Sequence, residues 1–209
     1  MTTPKLLTHI GACLALAAIP FSASAVTIDF ETFTGPSLFV NVVTSPQTLN
    51  INTGVGGNVK VEGGVILTKT ANLPADQTSI YGTASSGSGL SNPLTITFDH
   101  NINNFFFDVL NGLTTTADFT LMDNLGNSSV FSLAPNLSSG VTTIGFATAG
   151  SVITITQTPQ SGSFDFFVDN IHFDEALPPS LSVPDAGSSA MLLSLGLFGI
   201  GAVRRRVRK

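Results

Sequence analysis

Val152-Ile153-Thr154-Ile155-Thr156-Gln157 alternates apolar and polar side chains with a period of two. A strand presents successive side chains to opposite faces, so this pattern predicts one face on a core and one in water. Leu94, Ile96 and Phe98 alternate with Thr95 and Thr97 in the same way, and Ala117, Phe119 and Leu121 with Asp118 and Thr120. Working outward, further strands are expected at Val26–Phe30, Leu38–Val43, Asn58–Val61, Val65–Thr68, Asn104–Leu110, Ser129–Leu133, Val141–Phe146 and Phe164–Phe173. Asn111-Gly112 has the chemistry of a tight turn with positive φ, and Asn124-Leu125-Gly126-Asn127 that of a hairpin between the Phe119 and Phe131 strands. Gly54–Gly57 and Ser85–Gly89 read as flexible loops. No segment sustains a helical repeat. About ten short antiparallel strands predict an all-β, two-sheet antiparallel β-sandwich of the jelly-roll kind.

Composition agrees. Only 10% of residues are charged, against about 25% in typical soluble domains. The 16 Phe dominate the aromatic content. In Phe105-Phe106-Phe107 and Phe164–Phe167, one alternation is expected inside, where Phe usually sits. Between Val26 and Leu177 there are two lysines, no arginine and twelve acidic residues, a formal charge of −10. Nucleic acid is excluded as a partner, because phosphate neutralisation needs clustered cations. The single cysteine, Cys13, lies in the N-terminal apolar stretch, which leaves the middle segment without disulfides or thiolate chemistry.

The two ends have a different character. Lys5 precedes the apolar run Ile10–Ile19, and Ala23-Ser24-Ala25 offers a small-x-small cleavage site. Residues 1–25 are therefore expected to be a signal peptide read by Sec-type export machinery and signal peptidase, with Val26 as the mature start. A lipoprotein signal around Ile10-Gly11-Ala12-Cys13 is the alternative, although the apolar core continues past the cysteine. At the other end, an uncharged stretch closes on Arg204, Arg205, Arg206, Arg208 and Lys209. As a helix, Ala186–Val203 would reach about 27 Å, marginal for a hydrocarbon core of about 30 Å. A transmembrane helix is expected over 190–203, with the basic tail 204–209 cytoplasmic and the acidic domain 26–177 outside. By that reading alone, a plain membrane anchor is sufficient.

The linker 178–189 adds Val183-Pro184-Asp185-Ala186-Gly187-Ser188. This motif, a short apolar helix and a terminal arginine cluster resemble the VPDSG variant of the PEP-CTERM sorting domain, with Ala186 where that variant usually has a small hydroxyl residue. The resemblance implies recognition of Val183, Pro184, Asp185, Gly187 and Ser188 by a membrane-embedded exosortase, cleavage near Pro184-Asp185, and transfer to the surface or extracellular polysaccharide of a Gram-negative bacterium.

Asp29 and Glu31, two residues apart on the first expected strand, and Asp169 beside Asn170 in the last one resemble the acidic pattern of carbohydrate-binding jelly rolls. That resemblance implies a structural calcium held by Asp29, Glu31 and Asp169, since calcium takes hard oxygen ligands. The competing reading is of solvent-facing acids near strand ends. Sugar binding is implied as well, yet there is no Trp, and Tyr81 beside the Ser/Gly-rich loop is the one Tyr available to stack on a ring. It reads equally as a sheet-edge residue.

No enzyme is expected. His100 and His172 fall on different strands, no Gly-x-Ser-x-Gly elbow occurs, and the Gly-rich stretches lack a phosphate-loop Lys-Ser/Thr. Asp99, Asp108, Asp118, Asp123 and Asp165 could furnish the carboxylate pair of a glycosidase, but spacing selects none of them. The sequence thus predicts an exosortase-sorted protein of the cell surface or biofilm matrix with a structural or adhesive role. A calcium-stabilised glycan-binding module is the alternative, and a secreted glycan-active hydrolase the third.

Overall fold

A computed structural model describes residues 26–36, 45–68, 78–135 and 140–181. The expected signal peptide, the Leu38–Val43 strand, the sorting motif and the C-terminal helix with its basic tail lie outside the described residues. Among those described, no helix is long and apolar enough to cross a membrane.

Eleven strands form: β1 (Val26–Ile28), β2 (Gln47–Asn52), β3 (Asn58–Thr68), β4 (Ser79–Thr83), β5 (Leu94–Phe98), β6 (Phe105–Asn111), β7 (Ala117–Asp123), β8 (Ser128–Leu133), β9 (Thr142–Phe146), β10 (Val152–Thr158) and β11 (Phe166–Phe173). Every pairing is antiparallel. The ladder runs β8-β7-β10-β5-β3-β4-β11-β6-β9, and β3 is where it folds over. Residues Val59–Glu62 of β3 pair with β5, with β2 along their other edge, whereas Gly64–Thr68 pair with β4. The first sheet is therefore β8-β7-β10-β5-β3-β2. The second is β3-β4-β11-β6-β9, with β1 beside β11 in line with β4. The expected two-sheet antiparallel sandwich is what forms.

The sequence pattern predicts two strands, Asn58–Val61 and Val65–Thr68, where one long strand bends. Gly63 has φ +95°, and a Cβ there would lie 1.9 Å from the Pro93 carbonyl oxygen; at Gly64 it would lie 2.4 Å from that of Gly82. Only glycine lets the strand turn the corner with neighbouring backbone so close.

Both inner faces fill one core. Val59, Val61, Leu94, Ile96, Phe119, Leu121, Ile153 and Ile155 come from the first sheet, and Phe105, Phe107, Val109, Ile144, Phe166, Val168, Ile171 and Phe173 from the second. Buried Val65, Leu67, Ile80, Leu110 and Phe167 form a separate cluster on the outer side of the second sheet. Two strands had no legible signal. In β2, only Leu49 and Ile51 pack on the core among Gln, Thr and Asn. In β4, all five residues are buried because both of its faces are covered, which erases any alternation.

Local expectations fare unevenly. The β7–β8 hairpin closes at Asn124–Asn127, with Gly126 at φ +90°. Gly54–Gly56 forms a short 3-10 turn. Asn111-Gly112 is not the positive-φ turn expected from its composition. Asn111 ends β6 as a buried residue whose side-chain amide donates to the carbonyls of Thr115 (2.9 Å) and Leu133 (3.1 Å). A Cβ at Gly112 would stand 2.3 Å from the Phe164 carbonyl oxygen, so glycine serves close approach there.

Candidate functional site

The expected acidic constellation gathers around a bulge in β11. Register between β11 and β6 shifts between Asp169 and His172, and Asn170 takes φ +45°. Bulges re-aim side chains locally. Asp169 pairs with Asp108 across the two strands and is 1% exposed. Burial pushes its carboxyl up to about 7; the Asn170 N–H, 2.8 Å away, opposes this, and the charges of Glu31, Asp108 and Asp29 raise it further. Asp108 accepts from Thr143 Oγ1 (2.6 Å) and Asn170 Nδ2 (3.0 Å).

Asp29 and Glu31 were expected on one face of the first strand. Instead β1 stops at Ile28, and Phe30 adopts φ +56° with its ring stacked 5.7 Å from Tyr81. That turn sends the Glu31 carboxylate to the start of β4, where it accepts from the Thr78 N–H (2.9 Å), the Ser79 N–H (3.4 Å) and the Thr78 hydroxyl. Asp29 Oδ1 accepts from the Glu31 N–H (3.2 Å). An all-oxygen set of this kind suits calcium chemically. Among the described residues, however, no group of three or more His, Cys, Asp or Glu is placed to hold a metal ion.

Tyr81 is the clearest correction. It is fully buried, its hydroxyl donates to the Gln47 carbonyl (2.7 Å) and accepts from the Gly64 N–H (3.0 Å), and burial pushes it up to about 12. A phenol inside the sandwich cannot stack on a sugar. The sequence pointed to the adjacent loop, whereas Tyr81 sits inside β4, a strand without periodicity.

The outer face of the first sheet is polar. Glu62, Thr95, Thr154 and Met122 fall in one cross-strand row, and Asn50, Lys60 and Thr97 in the next. Neighbouring strands stand about 4.8 Å apart, so hydroxyl and amide groups recur at regular intervals. Lys60 and Glu62 neutralise each other at 2.8 Å. Such a face offers many neutral donors and acceptors and little net charge. A cleft of about 290 Å³ lies at its β2 end between Asn50, Lys60, Thr97 and Asp99, and another of about 260 Å³ between β1 and Ile51–Val55.

The five aspartates weighed as acid–base candidates do not converge. Asp99 joins Asn58 and His100; Asp118 takes the Ser132 hydroxyl; Asp123 organises the β7–β8 turn through the Leu125 and Asn127 N–H groups; Asp165 is buried under Ser91 and Ser161. His100 is held between Asp99 (2.8 Å) and Asp174 (2.9 Å), a pairing with no signal in the local pattern around either residue. His172 stacks on Phe106, and its Nδ1 meets both Thr27 Oγ1 (3.1 Å) and Glu175 Oε1 (2.6 Å). Hydroxyl and carboxylate share one ring nitrogen. A relay needs them on opposite nitrogens.

Residues 182–207 match the VPDSG-CTERM motif. The match bears out the resemblance read from Val183-Pro184-Asp185 and the arginine cluster, a sorting signal of exported proteins. No curated protein is detectably similar in sequence. Among solved structures, the chain is similar to a family 29 carbohydrate-binding module at 11% identity, covering 65% of this chain and 99% of that one with a TM-score of 0.36. It is also similar to TmCBM61, solved with β-1,4-galactotriose, at 12% identity over 69% of this chain and 92% of that one (TM-score 0.33). An exo-β-1,3-galactanase from Phanerochaete chrysosporium matches at 15% identity over 63% of this chain and 30% of that one (TM-score 0.34). At TM-scores this low, the likenesses carry no argument; the sandwich is read from the strand pairing itself.

Proposed function

We propose that this chain is an exported, exosortase-sorted protein of the cell surface or extracellular matrix, with a structural or adhesive role rather than an enzymatic one. The observation that carries the reading is the VPDSG-CTERM match over residues 182–207. An acidic sandwich that places neutral hydroxyls and amides on a broad sheet face suits contact with a polyhydroxylated matrix. Its acidic side chains serve the fold: Glu31 caps β4, Asp123 the β7–β8 turn, and Asp165 two loops. Residues 1–25 direct export through a Sec-type route, and the segment 190–203 holds the chain in the membrane while exosortase acts. Fractionation of producing cells tests this. The domain is expected outside the inner membrane, with Pro184→Ala/Asp185→Ala blocking processing; a product confined to the cytosol overturns it.

The three carboxylates that act on Asp169, those of Glu31, Asp108 and Asp29, favour a second reading, a calcium-stabilised glycan-binding module. Asp29 and Asp169 would supply the acidic ligands, and the ion would remove the repulsion that burial imposes on Asp169. A chelator-sensitive melting shift and retention on the producer's own polysaccharide are expected. If neither occurs, this reading fails while the sorting reading stands.

A further inference from the structure

We infer that copies of this chain assemble edge to edge, with β8 of one molecule pairing antiparallel with β2 of the next. Among the described residues, β8 pairs only with β7 and β2 only with β3, so no described strand lies beside the outer edge of either. Soluble proteins usually guard such edges with lysine, proline or a bulge. Here Gln47-Thr48-Leu49-Asn50-Ile51-Asn52 and Ser128-Ser129-Val130-Phe131-Ser132-Leu133 contain no charge and no proline, and the one irregularity is a register shift against β3 between Gln47 and Leu49, at the start of β2.

Direction and register both fit a second copy. Among the described residues, the first sheet has six strands in strict antiparallel order, so its two edge strands run in opposite senses. An even count means that copies following one another along the sheet meet antiparallel, continuing the existing ladder. Pairing the two six-residue strands over their full length sets Ser128 opposite Asn52 and Leu133 opposite Gln47. In that register, Val130 and Ser132 face Asn50 and Thr48 on the outer side. Phe131 meets Leu49 on the inner side, both being core residues left only partly buried. A slip of one residue would turn apolar against polar.

Exposed apolar side chains mark the same edges independently. Of the five large exposed hydrophobics among the described residues, Met122 (48%), Leu125 (59%) and Val130 (62%) lie on the β7–β8 hairpin, and Val55 (83%) lies on the turn that follows β2. Leu125 is three residues before Ser128 and Val55 three after Asn52, so full-length pairing brings those two turns together. A contact between two different edges is heterologous, so it repeats from copy to copy into a closed ring or an open filament. This inference rests on the strand edges and not on the sorting reading.

Cysteine cross-linking in producing cells tests it, using the full chain with Cys13→Ser throughout. Asn50→Cys combined with Val130→Cys should shift monomer into a ladder of disulfide-linked multimers when a thiol oxidant is added. Each single variant should stay monomeric, as should the opposite-face pair Asn50→Cys with Ser129→Cys. Adding Thr48→Lys and Ser132→Lys should abolish the ladder by like-charge repulsion, and Thr48→Glu with Ser132→Lys should restore it. Monomer alone from the first pair, at wild-type abundance, overturns the inference. So does an equal ladder from the opposite-face pair, or a single variant that forms dimers.

Discussion

Asp169 on β11 stands directly across from Asp108 on β6, two carboxylates in register on paired antiparallel strands, with one of them sealed from water. Like charges opposite one another oppose sheet formation. Burial chiefly raises the Asp169 carboxyl, the charges of Glu31, Asp108 and Asp29 add to it, and this sets the first expectation. An acid whose folded value exceeds its unfolded one binds more protons in the fold, so its penalty on stability grows as pH rises from about 4 to about 7. Asp169→Asn should therefore raise the melting temperature at pH 8 by several degrees, on the order of 1–2 kcal/mol for a domain of this size, and change it little at pH 4. Thermal melts of both proteins across that range check it. If calcium binds, it should stabilise the wild type at pH 8 and leave the variant unmoved.

The phenol of Tyr81 gives the second. Because it is the one Tyr in the chain, an ultraviolet titration reports it without interference. No phenolate should form until about pH 12 or until the fold opens. Tyr81→Phe would strip the Gln47 carbonyl and the Gly64 N–H of their partner inside the core, at a cost of about 1–3 kcal/mol in chemical denaturation.

His100 supplies a dependence of opposite sign. Hydrogen bonds to Asp174 and Asp99 raise its value. The clasp therefore contributes in full below the ordinary histidine range and is lost as pH climbs through the raised one. Asp99, by contrast, is held low, chiefly by His100. His100→Gln should lower the melting temperature near pH 5 and do nothing above pH 9. The side chain is 39% exposed, so the loss should stay below about 1 kcal/mol.

Gly63→Ala tests the fold-over of β3. A methyl group there meets the Pro93 carbonyl at a backbone angle alanine avoids. The loss should exceed about 3 kcal/mol, enough to cut the yield of folded protein. Gly87→Ala, with nothing within 4 Å, should cost far less although its φ is also positive.

Much of the sandwich could be read from Thr-Ile alternation because strands covered on one face write their burial into the sequence. The strands that escaped are those where this rule fails. β4 is covered on both sides, and β2 sits at an edge where only Leu49 and Ile51 need be apolar. The bend at Gly63-Gly64 looked like a break because glycine marks both. For the acidic site, Asp29, Glu31 and Asp169 were named, but Asp108 was not singled out as their neighbour. Nothing local in Phe107-Asp108-Val109 says which strand will lie beside it. Tyr81 went astray for a related reason: proximity to a Ser/Gly loop says little about which way a ring points.

Phe173 closes β11, and the segment bearing the sorting motif begins nine residues later. β11 is flanked by β6 on one side and by β4 and β1 on the other, so a tether leaving its end hangs from an interior strand. Traction on that tether would have to shear hydrogen bonds on both flanks at once, where an edge strand could be peeled off one bond at a time. Val26 is zipped against Phe173, so β1 helps to carry a load applied at the end of β11.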